Sequence, residues 1–382
     1  MIIDNITLIS SIIVFITSIA AITIAEPFIR RLSPKRGRGR LDTAGMPPVS
    51  VVVVSNGDAE QMDNHLSAIL TQVYEPGFEV IVVATQHDSQ TEDVLKRYSN
   101  SKNLYTTFAP GDSLFMSKAK LAITIGVKAA HNEWILLTDS RHMPETDSWI
   151  ETMAGNCQES TDVVMGYSRY ADDTRHFYKF KHLLESMYSF HRACRKNAVV
   201  TKSANIMFRK SAFIQNDGFR GNLEFIQGEY DFLVNKYSSK GTVAVETSPS
   251  AWLTGDKPSA NTWRGEQVSL INYRHKLSGI SAYRARHITD TIILHAAFIM
   301  TVAATALGAA MSNWILTATA AVSLIILVTM RTVFAAKRIA MFQAGVPIWK
   351  VFPYEIRCMW SNIANRLTYI RTDKNAFSTH KL

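Results

Sequence analysis

The run Trp134-Ile-Leu-Leu-Thr-Asp139 is apolar until it stops on a carboxylate, and Ser140, Arg141, His142 and a proline at 144 follow. An open α/β sheet binds its ligands outside the carboxyl ends of its strands, so an acid at this point is placed to meet one. A catalytic cation held there would want more than one oxygen ligand, and a second carboxylate two residues on would supply it. The chain has Arg141 at that position instead. The chemistry of the strand end therefore turns on what an arginine does beside Asp139.

The elements that position this acid are legible upstream. Pro47 and Pro48 introduce Val49-Ser-Val-Val-Val-Val-Ser55, a continuous β-branched run of the kind buried on both faces of a parallel sheet. A helix is predicted over 59–72, a second strand over 78–84, a helix over 91–98, and a third helix over 118–130 that leads into the strand ending at Asp139. Strand, helix, strand, helix, helix, strand is the order of a doubly wound, nucleotide-binding sheet. Beyond Pro144, 163–166 and 242–247 read as strands. Residues 176–195, aromatic and basic, read as a helix that either packs on the sheet or lies on a membrane surface.

At 382 residues the chain exceeds one average domain, and much of its 47% hydrophobic content gathers at its two ends. Residues 6–25 (ITLISSIIVFITSIAAITIA) carry no charge, and about 20 helical residues span the roughly 30 Å hydrocarbon core. The run is longer than the apolar part of a signal peptide, and Asp4 rather than a basic residue precedes it. Two more spans are predicted at 291–311 and 314–330, joined by a turn at Ser312 and Asn313 that only a helical hairpin can make. Basic residues mark the cytoplasmic side: Arg30, Arg31, Lys35, Arg36, Arg38 and Arg40 after the first span, and Arg331, Lys337 and Arg338 after the third. The expected topology is an inner-membrane protein with its amino terminus outside and residues 30–288 and the tail in the cytoplasm. The divisions are an anchor at 1–29, a basic linker at 30–48, a soluble domain at 49–288, a hairpin at 289–331 and an amphipathic, basic tail at 332–382.

The net charge of +9 sits largely beside these spans, where it sets topology and attracts anionic lipid. No nucleic-acid motif accompanies it, so no nucleic-acid partner is expected. The three cysteines, Cys157, Cys194 and Cys358, lack metal or redox spacing and read as reduced thiols.

From about Val49 to Arg286 the order of segments (VSVVVVSNGDAE, FEVIVVATQHDSQTEDVLKR, KLAITIGVKAAHNEWILLTDS, SANIMFRKSAF, GFRGNLEFIQGEYDFLVNK, NYRH), with the paired carboxyl-terminal spans, resembles membrane-anchored family 2 glycosyltransferases. The resemblance implies a GT-A fold, a doubly wound mixed sheet with a Rossmann-like nucleotide-binding half and an acceptor half, flanked by one amino-terminal and two carboxyl-terminal transmembrane helices. It implies an inverting transfer from a nucleotide-sugar donor to a polysaccharide or lipid-linked acceptor, membrane lipid and other envelope biosynthesis proteins as partners, and a divalent Mg²⁺ or Mn²⁺ as cofactor.

Such an enzyme must deprotonate an acceptor hydroxyl and stabilise charge on a departing diphosphate. On this chain the resemblance places donor contacts at Asn56, Lys120, Asp139 and Arg141, a metal at Asp139 with His142 as replacement ligand, the base at Glu229 or Asp231, assistance at Arg274 and His275, and the acceptor side at Asn205 and Trp263. Arg209 belongs to the same acceptor-side segment. Four positions depart from the family pattern. The second strand ends in Ala84-Thr85 where an acid pair usually reads the nucleoside, Arg141 replaces the second metal acid, Tyr230 stands where the base is usual, and Ile271 replaces the glutamine ahead of Arg274. Two readings of Arg141 follow. Either its planar fork neutralises the diphosphate without metal, or it pairs with Asp139 or Glu145 and the site is silent. The corresponding readings of the molecule are a membrane-bound glycosyltransferase and a catalytically inactive scaffold or glycan- or nucleotide-binding partner protein.

Overall fold

The computed structural model describes residues 4–25, 27–30, 32, 41–55, 57–111, 113 and 115–377. Asn56 and the linker cations Arg31, Lys35, Arg36, Arg38 and Arg40 lie outside the described residues. In chain order the elements are α1 (Asn5–Thr23), β1 (Val49–Val54), α2 (Ala59–Leu70), β2 (Phe78–Thr85), α3 (Ser89–Arg97), β3 (Leu104–Ala109), α4 (Lys118–Ala129), β4 (Trp134–Asp139), β5 (His142–Pro144), α5 (Trp149–Ala154), β6 (Val163–Met165) and β7 (Ser168–Tyr170). They continue through α6 (His176–Arg195), β8 (Ile206–Arg209), α7 (Lys210–Gln215), α8 (Glu229–Tyr237), β9 (Val243–Val245), β10 (Leu253–Gly255), α9 (Ala260–Tyr273), α10 (Ile280–Ala310), α11 (Trp314–Met341) and α12 (Val351–Arg371). The chain divides into two compact units, one of residues 1–31, 175–188 and 281–364, the other of 32–174, 189–280 and 365–382.

The second unit is built on a seven-stranded mixed sheet in the order β3-β2-β1-β4-β8-β6-β9. Its first four strands are parallel; β8 runs antiparallel to β4 and β6. β1 is buried along its whole length because α/β packing covers both faces, which is why its sequence is a valine run and not an alternation. On one face Val51, Val53, Val80, Val82 and Leu136 pack with Met62, Leu66 and Ile69 of α2 and with Trp149 and Met153 of α5. Register pairs Val54 with Asp139, so the carboxyl ends of β1 and β4 finish side by side. A small sheet, β5-β10-β7, stands directly after β4.

β3 was absent from the expected order. It is an edge strand with Tyr105 and Phe108 exposed and threonines between them, so it lacks the apolar run that marks a central strand. Asp58 and Asp88, potential substitutes for the missing acid after β2, are helix caps: they accept from Gln61 N (3.3 Å) and Thr91 N (3.2 Å).

The first unit contains three helices long and apolar enough to cross a membrane, α1, α10 and α11. The last two extend beyond the apolar runs read from sequence, α10 starting at Ile280 and α11 continuing to Met341. Ile6, Ile9, Ile292, Ile299, Leu307 and Ile325 point outward, as lipid-facing side chains do. Inside, Ala21, Ile22, Leu294, Ala297, Leu327 and Phe352 form a core. Arg331 of α11, 2% exposed, donates to both carboxylate oxygens of Glu355 (2.8 and 3.0 Å) and to the carbonyls of Ala21 (2.6 Å) and Ala25 (3.3 Å) where α1 ends. Those carbonyls have no partner within their own helix, and a cation at a helix carboxyl end also opposes its dipole. The first half of α6 is buried, Phe177 and Phe180 packing on Tyr354 of α12 (ring centroids 5.4 and 5.8 Å).

Candidate active site

Asp139 ends β4 at 2% exposure with both carboxylate oxygens engaged. Oδ1 accepts from the Arg141 backbone N–H (3.0 Å) and from His142 Nδ1 (2.6 Å); Oδ2 accepts from the Arg141 guanidinium (3.2 Å) and the Tyr230 hydroxyl (3.3 Å). Burial alone would raise its pKa, but the His142 imidazole and the Arg141 guanidinium outweigh burial and hold the group well below the usual carboxylate range. The turn beyond it is fixed from three sides: Ser140 N donates to Val54 O (3.0 Å), His65 Nδ1 meets Ser140 O (2.7 Å), and Asp256 N donates to Arg141 O (3.1 Å). Glu145 is not Arg141's partner, since it binds Arg169 (2.5 Å) and Thr254 (2.5 Å). The Arg141 side chain remains 44% exposed.

The second acidic group stands at the start of α8, whose cap Gly228 has φ 96°. The ring of Tyr273 lies 2.6 Å from where a Cβ at 228 would be, so only glycine fits this entry. From here Tyr230 reaches Asp139, and burial pushes its phenol well above the ordinary value, with the Asp139 carboxylate adding to the shift. Asp231 is a correction to the expectation of a base. At 2% exposure it accepts from Thr201 N (2.6 Å), Tyr273 OH (3.0 Å), Arg274 Nε (2.6 Å) and Arg274 Nη2 (3.3 Å), which leaves no lone pair facing a substrate. Arg274 is committed to the same bidentate pair and to Thr201 O (3.3 Å), so it ties α9 to α8 and does not clamp phosphate. Glu229 is half-buried, its Oε2 is buried with no hydrogen-bond partner among the described residues, and burial raises its pKa.

Other expected contacts are structural. Asn205, 0% exposed, accepts from Trp149 Nε1 (3.1 Å) and donates to Tyr167 O (3.2 Å) and Ala251 O (2.7 Å), so both its N–H donors are used and its buried side chain cannot meet an acceptor. Arg209 binds the carbonyls of Thr161, Gln158 and Glu159 and stacks over Trp134. Lys120 is neither solvated nor facing a donor. It is 0% exposed, its ammonium donates to Asn222 O (2.7 Å) and Phe225 O, and burial pushes its pKa down to about 8. It therefore holds the loop that leads into α8. Trp263 is buried on α9, and His275 is exposed with Nδ1 on Asn272 O and its ring edge-on to Phe225 (5.9 Å).

Arg141 opens onto a cleft of about 370 Å³ whose wall is one face of α9: Thr262, Glu266, Ser269 and Tyr273, with Gln227 opposite. The spacing 262, 266, 269, 273 is a helical stripe. Glu266 was missed in the sequence because this stripe is polar, and only apolar periodicity announces a helix. Burial raises its pKa, against the pull of Lys202, Arg141 and His142.

Residues 50–216 match the family model described as glycosyl transferase family 2. These residues form a family 2 glycosyltransferase domain. The chemistry of that family is glycosyl transfer. The structure of the mannosyltransferase PcManGT from Pyrobaculum calidifontis, in complex with GDP-Man and Mn²⁺, superposes with a TM-score of 0.53 at 14% identity, covering 91% of this chain and 98% of that one, which shows a shared GT-A fold. TarS residues 1–349 from S. aureus, in complex with UDP-GlcNAc, superpose with a TM-score of 0.42 at 14% identity, covering 85% of this chain and 92% of that one. No curated protein matches the sequence.

In this glycosyltransferase domain the strand end does not fit the divalent cation that the family resemblance implies. Asp139 has given its oxygens to four donors, His142 spends Nδ1 on Asp139, and a guanidinium stands 3.2 Å away. Among the described residues no group of three His, Cys, Asp or Glu side chains is arranged to hold a metal. The pairing of Asp139 with His142 as metal ligands is thus corrected to a pairing of each with the other. What the arrangement offers is a partly exposed cation, oriented by a buried acid, at the carboxyl end of the sheet.

Proposed function

We propose that the chain is a membrane-anchored glycosyltransferase that takes its sugar from a nucleotide donor at the cytoplasmic face and passes it to a glycan or lipid-linked acceptor, with Arg141 neutralising the departing diphosphate. One observation carries this reading. Arg141 is fixed by Asp139 through its backbone N–H (3.0 Å) and its guanidinium (3.2 Å), yet remains 44% exposed and lines the cleft. A guanidinium held in place before the reaction costs no reorganisation when negative charge develops, which is how electrostatic catalysis works. The nucleotide-sugar donor is carried over from GDP-Man in PcManGT; the Mn²⁺ of that complex is not, because the donor set here does not suit it. The three candidate spans and the basic residues at Arg331, Lys337 and Arg338 support the membrane placement and the orientation.

A second reading, a non-catalytic glycosyltransferase-like partner protein, draws on Tyr230, which fills the usual base position and hydrogen-bonds the donor-side acid. Titration calorimetry on the full chain in detergent with UDP, GDP and dTDP, each with and without Mn²⁺, separates the two. Transfer chemistry expects binding of at least one nucleotide without metal. Silence from all three would leave the partner-protein reading, and heat released only with Mn²⁺ would sink the role given to Arg141.

A further inference from the structure

Neither of the two carboxylates that sequence nominates as the base lines the cleft. Asp231 is saturated by Thr201, Tyr273 and Arg274, and Glu229, half-buried, stands outside the lining of the cleft. Tyr230 donates its hydroxyl to Asp139, and burial raises its pKa well above the ordinary value, so it is no base. Glu266 is different. It lies one helical turn from both Thr262 and Ser269, on the face of α9 that forms the cleft wall, and it shares that cleft with Arg141. The pocket thus holds one carboxylate and one cation, the two charges that an inverting transfer needs on either side of the anomeric carbon.

We propose that Glu266 is the catalytic base of this site, taking the proton of the acceptor hydroxyl as that oxygen attacks. This rests on reading the chain as a nucleotide-sugar transferase. In the step the acceptor oxygen bonds to the anomeric carbon, the bond from that carbon to the diphosphate oxygen breaks, the hydroxyl proton passes to the Glu266 carboxylate, and the electron pair leaves on the diphosphate beside Arg141. Thr262, Ser269, Gln227 and Asn272 supply hydrogen-bonding groups around the acceptor, and Phe225 and Tyr273 supply apolar surface for a sugar ring. The charges that face Glu266 are Arg141, His142 and Asp139 from the turn after β4 and Lys202 from the loop before β8. Three of them bear on the carboxylate against its burial: the cations favour ionisation, whereas Asp139 disfavours it.

The test measures nucleoside diphosphate released from UDP-glucose, UDP-N-acetylglucosamine and GDP-mannose by the full chain in detergent, with water as acceptor. Glu266→Gln should slow release by about 10²- to 10⁴-fold, the usual contribution of a positioned base, while the diphosphate still binds as it does to the parent. Glu266→Asp should recover part of the rate. The parent's rate should fall as pH drops through the Glu266 pKa, and that acid limb should vanish in Glu266→Gln. An unchanged unfolding temperature excludes misfolding as the cause. Release that is equal in parent and Glu266→Gln overturns the role of Glu266 and leaves the transferase reading standing; release from none of the donors by the parent overturns that reading and this one with it.

Discussion

Asp139 is a carboxylate that organises cations; it has no oxygen left to offer a ligand directly. Replacing it by Asn turns an acceptor into a mixed group that must face N–H donors from Arg141 and His142 and an O–H from Tyr230. The expected loss is on the order of 3 kcal/mol of stability, since buried charged hydrogen bonds are expensive to break on one side only. Because the folded-state pKa of Asp139 is depressed, its contribution is complete above the unfolded value of about 3.9 and is lost as pH falls toward the folded value. Denaturation midpoints of parent and Asp139→Asn should therefore differ fully at pH 5 and above and converge only below about pH 4. A gap that instead closes between pH 6 and 8 would show that the Asp139 carboxylate is not the controlling group. The position of Asp139 was legible, since an apolar run ending on an acid reads as a strand end. The fate of Asn205 and Asp231 was not, because a motif does not record how many hydrogen bonds its neighbours will claim.

At the scale of elements, α4 packs so tightly on the sheet that Gly126 has no room for a side chain: a Cβ there would lie 2.5 Å from Val52 Cγ1 and 3.1 Å from Val83 Cγ2. Both neighbours are β-branched and sit in fully buried strands, so neither can yield by rotation. Gly126→Ala removes a helix-weakening glycine worth about 1 kcal/mol, yet overpacking costs about 1–3 kcal/mol, and the net expectation is destabilisation. A variant that melts higher than the parent would show the interface to be looser than described. β1, β2 and β4 were legible because burial on both faces leaves a continuous apolar run, whereas β3 was not, because an edge strand needs no such run. α9 fell between these cases: Trp263 and Ile271 were noticed, but the polar stripe on the same helix carries no hydrophobic period.

For the whole molecule, the hairpin of α10 and α11 fixes a testable orientation. Its turn contains Ser312, which is exposed; of the native thiols Cys157 and Cys358 are buried, and Cys194, which is half-buried, is replaced by serine in the labelled background. In the proposed topology Ser312→Cys should react with a membrane-impermeant maleimide on intact cells, since the turn faces away from the cytoplasm. Labelling that appears only after permeabilisation would reverse the assignment and place the glycosyltransferase domain outside. The spans were legible from composition alone because twenty apolar residues have few other fates, and the basic flanks carry the expected direction. What composition does not reveal is how the helices hold each other, since the residues responsible are polar and few.

Arg331 shows what that arrangement implies for biogenesis. The carbonyls at the end of α1 emerge from the ribosome more than three hundred residues before the guanidinium that caps them, and Glu355 follows later still. Until then the first helix is inserted but unfinished. A chain truncated between Arg331 and Glu355 would carry a buried cation without its counter-ion, an arrangement that costs several kcal/mol. The same three-way contact joins α1, α11 and α12, so it forms only once all three helices are present.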